Sequence, residues 1–415
     1  MEWSLFGEKF TQKSGILELM DDLGKAMSGS RKQYMLGGGN PAHLPEMNAV
    51  WRRRMEEILA KGNDFEKMIA NYDTPQGKTT FLEALAGMLS STYGWKITEK
   101  NIGITNGSQS AFFLLLNMLS GEYKEGKRKK VLFPLAPEYI GYADQSIGTD
   151  HFISCRPEIH ETDDREFKYY VDFNALPLSD DISAICVSRP TNPTGNVLTN
   201  EEISKLSDIA AERGIPLLLD NAYGTPFPNI IFTDAKPVWN ENIILGMSLS
   251  KLGLPAVRTG IIIAKEEIIN ALSAVNAIMS LANGSIGQVI TQPLIESGEL
   301  IRLSNEAVKP FYRERSQNAL AWIHDSFGSR FPYSVHKSEG SIFLWVWFKD
   351  LPITTMQLYQ ELKKKDVIVV PGKYFFYGLE EPWDHAHQCI RINYAQEPED
   401  VRTGIRIIAD TAAGI

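Results

Sequence analysis

Residues 244–258 read Ile-Leu-Gly-Met-Ser-Leu-Ser-Lys-Leu-Gly-Leu-Pro-Ala-Val-Arg, setting Lys251 just after the hydroxyls of Ser248 and Ser250 and upstream of Arg258. A lysine amine can condense with an aldehyde as a Schiff base, and hydroxyls with a guanidinium hold phosphate through charge-assisted hydrogen bonds. The layout suits pyridoxal phosphate, an aldehyde cofactor that carries its own phosphate. Taken alone, Ser-x-Ser-Lys is a common loop sequence that a surface lysine satisfies as well.

Further candidates stand upstream, each at a strand-to-loop junction. Asp220 closes the apolar run 215–220, which predicts a buried parallel strand delivering its last residue to the carboxyl edge of a sheet, where open α/β sheets bind ligands. A carboxylate there can pair with a protonated pyridine nitrogen and keep the ring an electron sink; capping a helix is the competing use of such an Asp. Tyr223 follows three residues later, within reach of the ring's 3-hydroxyl or of core packing. Asn192 opens Asn-Pro-Thr-Gly, a turn enforced by Pro193 and Gly195, and its amide could serve the ring oxygen. Gly107, Ser108 and Gln109 lead into the helix-forming run Ala-Phe-Phe-Leu-Leu-Leu. Glycine admits close backbone approach and free helix N–H groups attract a phosphate, although a serine-capped helix fits the same letters.

With these residues in this order, the chain resembles a fold-type I pyridoxal-phosphate enzyme of the class I/II aminotransferase family. The likeness is carried by residues 3–10, 35–41, 71–78, 134–142, 187–197, 220–228, 248–255, 342–351 and 389–394, nearly end to end. It is nearer still to the bacterial branch that works on valine, alanine and pyruvate.

The resemblance implies an amino-acid substrate whose α-carboxylate is held by Arg391 and approached by the backbone of Gly39. It gives Tyr139 the position stacked on the pyridine ring. Tyr72 takes the place of a tyrosine that crosses a homodimer interface to the neighbouring phosphate, with active sites at that interface. Lys251, Asp220 and Tyr223 carry the catalytic roles in this reading, and no metal is required. The expected reaction is ping-pong transamination between a small apolar L-amino acid (alanine, valine or 2-aminobutyrate) and a 2-oxo acid such as pyruvate or 3-methyl-2-oxobutanoate, as in branched-chain amino acid biosynthesis. Leu5, Phe6, Phe375 and Phe376 are apolar candidates for the side-chain pocket, and core packing explains them equally. A carbon-sulfur β-lyase, or an aminotransferase of other substrate range, would use the same ring-binding residues.

The elements that must position these groups follow from pattern. Residues 130–133, 184–187, 217–219, 243–247 and 260–264 read as strands between helical stretches, which predicts an α/β large domain, residues 48–300, with a mostly parallel sheet between helices. After residue 304 the pattern changes to strands mixed with covering helices. Residues 301–415, joined through the resemblance by 1–47, are read as a smaller α+β domain.

A chain of 415 residues, 43% hydrophobic, can bury a large core. A net charge of -9 without a basic cluster argues against nucleic acid, and the few, weakly basic residues before Gly37 argue against a regulator's DNA-binding arm. Three dispersed cysteines point to a reducing compartment, and with neither a secretory signal nor a membrane-length apolar run the expected location is the cytoplasm. Two motif fragments fail on inspection. Gly77-Lys78-Thr79 has Tyr72 where a phosphate loop needs its first glycine, and Pro41 and Pro45 obstruct a dinucleotide-type helix after Gly37. His385 and His387 lack a third metal ligand at suitable spacing and read as a polar loop.

Overall fold

The computed structural model describes residues 1–12, 14–28, 32–162 and 165–415. Its larger sheet sets side by side Ile102–Asn106, Thr259–Ile263, Ile243–Ser248, Leu217–Asp220, Ile182–Ser188, Arg128–Phe133 and Gly121–Glu122, with Phe152–Ser154 also paired to Arg128–Phe133. The pairings from Ile243–Ser248 across to Phe152–Ser154 are parallel, whereas Thr259–Ile263 runs antiparallel to both its neighbours. Ile182–Ser188 and Ile243–Ser248 are buried at every position. Helices on both faces leave no polar side to these strands, which is why they read as unbroken apolar runs rather than alternating ones.

Helix starts are locally encoded. Thr199 accepts a hydrogen bond from the Glu202 amide (3.1 Å) while the Glu202 carboxylate accepts from the Thr199 amide (2.7 Å), a reciprocal cap that opens Asn200–Glu212 soon after the Asn192 turn. Gly94, at φ 70°, closes Thr79–Tyr93 in the left-handed conformation that glycine adopts without strain.

A second sheet orders Val370–Pro371, Cys389–Asn393, Phe343–Phe348, Tyr333–His336, Glu166–Tyr170 and Glu158–Glu161. Its last two strands come from the middle of the chain, between Phe152–Ser154 and Ile182–Ser188. The apolar run 367–370 is divided between two pairings. Val367–Ile368 pairs with Tyr34–Met35, and Val370–Pro371 pairs with Cys389–Asn393. That division ties the N-terminal segment to the strand carrying Arg391. Among the described residues no helix is long and apolar enough to cross a membrane.

Candidate active site

A cavity of about 580 Å³ opens beside the carboxyl ends of the central strands. Gly39, Ser108, Gln109, Tyr139, Asn192, Asp220, Tyr223, Ser248, Lys251, Arg258 and Arg391 all line it. These residues span more than 350 positions of sequence, and the sheet edge is what brings them together.

At one end the backbone forms a cradle. Gly107, at φ 88°, precedes the first turn of Ser108–Leu119, whose leading N–H groups have no partner within the helix. A Cβ at Gly107 would stand 2.1 Å from Nη2 of Arg258, and one at Gly260 would stand 2.5 Å from the Gly107 carbonyl carbon. Both glycines are therefore needed for the guanidinium to close over the loop. Arg258 itself sits at φ 47° and donates through Nη1 to the Pro255 carbonyl at 3.2 Å. Ser248 donates to the Ser250 hydroxyl at 2.9 Å and accepts from the Ser250 amide at 3.1 Å. Helix N–H groups, hydroxyls and a guanidinium around a space that any side chain at 107 would fill suit a phosphate dianion.

Lys251 stands on the short turn Ser250–Leu252, ended by Gly253 at φ 92°. Its Nζ donates to the Gly39 carbonyl at 2.6 Å and lies 5.3 Å from the Tyr223 ring centroid. Burial, then the positive charges of Arg391 and Arg258, lower its pKa to about 8 against the opposing pull of Asp220. A lysine so placed has a neutral, nucleophilic share near neutral pH.

Asp220 accepts from the Ala222 amide at 3.0 Å and from the Tyr142 hydroxyl. Burial pushes this carboxyl above its ordinary range, and the two donors with the Lys251 charge pull it back. Tyr139 meets Tyr142 edge to face at 5.1 Å, its ring packed over Gly141, where a Cβ would approach it to 2.3 Å. The Tyr223 phenol is buried and held well above its usual pKa by that burial, so it stays protonated as a donor.

Arg391, 2% exposed, donates through Nη1 to Asn192 Oδ1 at 2.6 Å and through Nη2 to the Gly37 carbonyl at 2.7 Å. Its guanidinium carbon lies 4.0 Å from the Phe343 ring centroid. Two of its five N–H groups are thus committed, leaving others for a carboxylate. Asn393, two residues on, donates to the Gly38 carbonyl at 2.6 Å and holds the 37–40 segment against the same strand.

Not every expectation lands in the cavity. Tyr72 is 81% exposed and outside it. Leu5 and Phe6 are 85% and 54% exposed on the short helix Leu5–Thr11, and Phe375 and Phe376 are buried in the core. The apolar wall comes instead from Ile16 and Met20 of the helix Gly15–Ser28, with Met35 and Ile140. Gly15 lets that helix seat on Tyr374, since a Cβ there would meet the ring at 2.5 Å. His385 is not in a polar loop; it is buried and hydrogen bonded to the Tyr169 hydroxyl. Sequence reasoning passed over Tyr142, three residues after Tyr139 on the short helical turn Ile140–Tyr142, a spacing that returns both rings to one side.

Residues 32–408 match the family aminotransferase class I and II. The chain is 53% identical over 410 residues to the valine--pyruvate aminotransferase of Escherichia coli (strain K12), covering 99% of this chain and 98% of that one. The crystal structure of valine-pyruvate aminotransferase from Salmonella typhimurium LT2 superposes with a TM-score of 0.88 at 50% identity, over 96% and 98% of the two chains. A kynurenine aminotransferase of Pyrococcus horikoshii shares the fold at a TM-score of 0.78 and 21% identity, over 98% and 96% of the two chains.

Proposed function

The chain belongs to the aminotransferase class I and II family, and we propose that it transfers the amino group of a small apolar L-amino acid (alanine, valine or 2-aminobutyrate) to a 2-oxo acid such as pyruvate or 3-methyl-2-oxobutanoate. The observation that carries this reading is one cavity holding a lysine of lowered pKa, the half-buried Asp220 carboxylate and a buried arginine. The identity with the Escherichia coli enzyme supports the substrate class.

Pyridoxal phosphate, the family's cofactor, supplies an aldehyde that takes up the amino group and a ring that accepts electrons released at Cα. Gly107, Ser108, Gln109, Ser248 and Arg258 would hold its phosphate, Asp220 its ring nitrogen, Tyr223 and Asn192 its ring oxygen, and Tyr139 one ring face. Lys251 would anchor the aldehyde, and its neutral amine would take the proton from Cα and return it on the cofactor side. Arg391 would grip the α-carboxylate through its uncommitted N–H groups, with the Gly39 backbone beside it. Ile16, Met20, Met35 and Ile140 offer an apolar wall to the substrate side chain. Among the described lining residues the only arginines are Arg258 and Arg391, so an acidic side chain finds no third guanidinium.

The large unit, residues 48–300, would hold the cofactor, and the small unit, 1–47 with 301–415, would contribute Arg391 and the 37–40 segment. A homodimer is part of the proposal. Ile69, Tyr72, Ile278, Met279 and Leu281 are exposed apolar or aromatic side chains, and Asn283 bonds the Pro75 carbonyl at 3.0 Å, which ties the chain just after Leu281 to the segment just after Tyr72; a second copy would cover such side chains and receive Tyr72. Three buried free cysteines accord with a cytoplasmic location.

A panel of amino donors, each mixed with the cofactor-loaded enzyme, tests the substrate class. Alanine, valine and 2-aminobutyrate should bleach the visible band of the lysine-linked cofactor, and pyruvate should restore it. Conversion by aspartate or aromatic amino acids with none by these three would overturn the assignment.

A further inference from the structure

Beside the ring-binding residues lies a second buried carboxyl that the reaction does not use. Glu138 is 2% exposed. Its Oε1 accepts from the Ser188 amide at 2.8 Å, and its Oε2 accepts from the Ser188 hydroxyl at 2.6 Å and from the Tyr139 amide at 3.1 Å. Its own amide donates to the Phe375 carbonyl at 3.0 Å. Ser188 stands opposite Asp220 in the parallel pairing of their strands, and the Arg189 amide donates to the Asp220 carbonyl at 2.8 Å. The side chain therefore links the backbone of Tyr139 to the strand beside Asp220, while the Glu138 backbone holds the segment of Phe375, whose ring lies 5.3 Å from the Arg391 guanidinium carbon.

We propose that Glu138 is a positioning residue for the cofactor, fixing Tyr139 over the ring and placing a second carboxyl behind the ring-nitrogen partner Asp220. The inference rests on cofactor attachment at Lys251. Two features support an electrostatic part beyond anchoring. Among the described residues the titratable groups that act on Glu138 or feel its charge are Asp220, Cys186, Tyr142 and Tyr377, none of them a cation, while Arg391 and Arg258 act on the neighbouring Tyr139. Burial chiefly, with Asp220 adding to it, raises the Glu138 carboxyl to about 8 against its three donors, so it gains its charge between about pH 7 and 9. A carboxylate that appears there favours the protonated, cationic cofactor and keeps it protonated to higher pH.

The test is Glu138→Gln in the full enzyme, with Ser188→Ala beside it. Glutamine keeps the shape but turns an NH₂ toward the Tyr139 amide or the Ser188 donors, and it cannot ionise. Pyridoxal phosphate should dissociate about tenfold or more readily from Glu138→Gln, measured by loss of the visible band on dilution, as expected when a buried donor loses its acceptor. In a pH titration of that band the midpoint should move below wild type. Ser188→Ala should move it the same way, because a carboxyl with one donor fewer stays neutral to higher pH. A simple packing role would lower the melting temperature and leave the midpoint alone. Midpoints equal to wild type in both variants, with the band present, would overturn the role of Glu138. A wild type without the band would instead overturn attachment at Lys251.

Discussion

Arg391 and Asn192, 199 residues apart, are joined by a 2.6 Å hydrogen bond in which the guanidinium donates to the amide oxygen. A guanidinium only donates, so the pairing decides the amide's orientation: its oxygen faces the arginine and its NH₂ is left for a ring oxygen. Asn192→Ala removes both contacts and should lower kcat/KM by about 10- to 100-fold, the range for a lost hydrogen bond to a charged group. Asn192→Asp should be worse, because a carboxylate at that place pairs with Arg391 and competes with the substrate's own. Steady-state kinetics with alanine and pyruvate decide it. An Asn192→Asp enzyme with wild-type KM would show that Arg391 does not hold the substrate.

Gly107→Ala tests the cradle. The change puts a Cβ 2.1 Å from the Arg258 guanidinium, at a backbone φ of 88° that L side chains rarely adopt. The arginine must swing away or the loop must shift, at a cost of about 1–3 kcal/mol. Affinity for pyridoxal phosphate should fall by about tenfold or more. Free phosphate should protect the wild-type apoenzyme against heat and protect this variant less. Unchanged affinity would mean that the phosphate lies elsewhere.

Lys251 should reveal itself through the pH dependence of cofactor uptake. Its pKa, lowered chiefly by burial to about 8, means the neutral amine grows from about a tenth at pH 7 to about nine-tenths at pH 9. The rate at which the apoenzyme captures pyridoxal phosphate should climb over that interval and then level. Stopped-flow absorbance measures it. Lys251→Ala should show no lysine-linked band at any pH, and a wild-type rate already flat between pH 7 and 9 would contradict the lowered value.

Much of the large sheet was legible because its strands are buried on both faces and announce themselves as short apolar runs ending in polar residues. Asp220 and Asn192 could be placed at one sheet edge for that reason. Pairing across long separations was not legible. Nothing in Glu158–Glu161 or Glu166–Tyr170 signals that they leave the large sheet for the C-terminal strands, since local pattern carries strand propensity but not partner choice. The side-chain wall was misjudged similarly. Leu5 and Ile16 are both apolar letters near the N-terminus, and it is the second helix that lines the cavity, with Gly15 against the Tyr374 ring and Glu18 accepting from the Tyr374 hydroxyl at 2.8 Å. Tyr142 was obscured by its neighbour, as an aromatic in an apolar segment reads as core until its hydroxyl is seen to meet Asp220.

The turn that presents Asn192 depends on a buried ion pair well behind the cavity. Lys168 and Glu339, 6% and 5% exposed, meet each other, and the lysine also donates to Asn196 Oδ1 at 2.8 Å and to the Val197 carbonyl at 2.9 Å. Glu339 accepts from the Val197 amide at 3.0 Å, so both charges grip the end of the Asn-Pro-Thr-Gly turn. Gly195, at φ 73°, completes it where a Cβ would stand 2.7 Å from the Gly340 carbonyl oxygen. Lys168→Met strands a buried carboxylate and should destabilise the fold by about 3–5 kcal/mol in urea denaturation. Lys168→Met combined with Glu339→Gln should recover part of that loss, because no lone charge remains. Since the combined variant still lacks the lysine's bonds to Asn196 and Val197, its KM should stay raised even where stability returns. Full recovery of KM along with stability would show that the pair holds the fold without aiming Asn192.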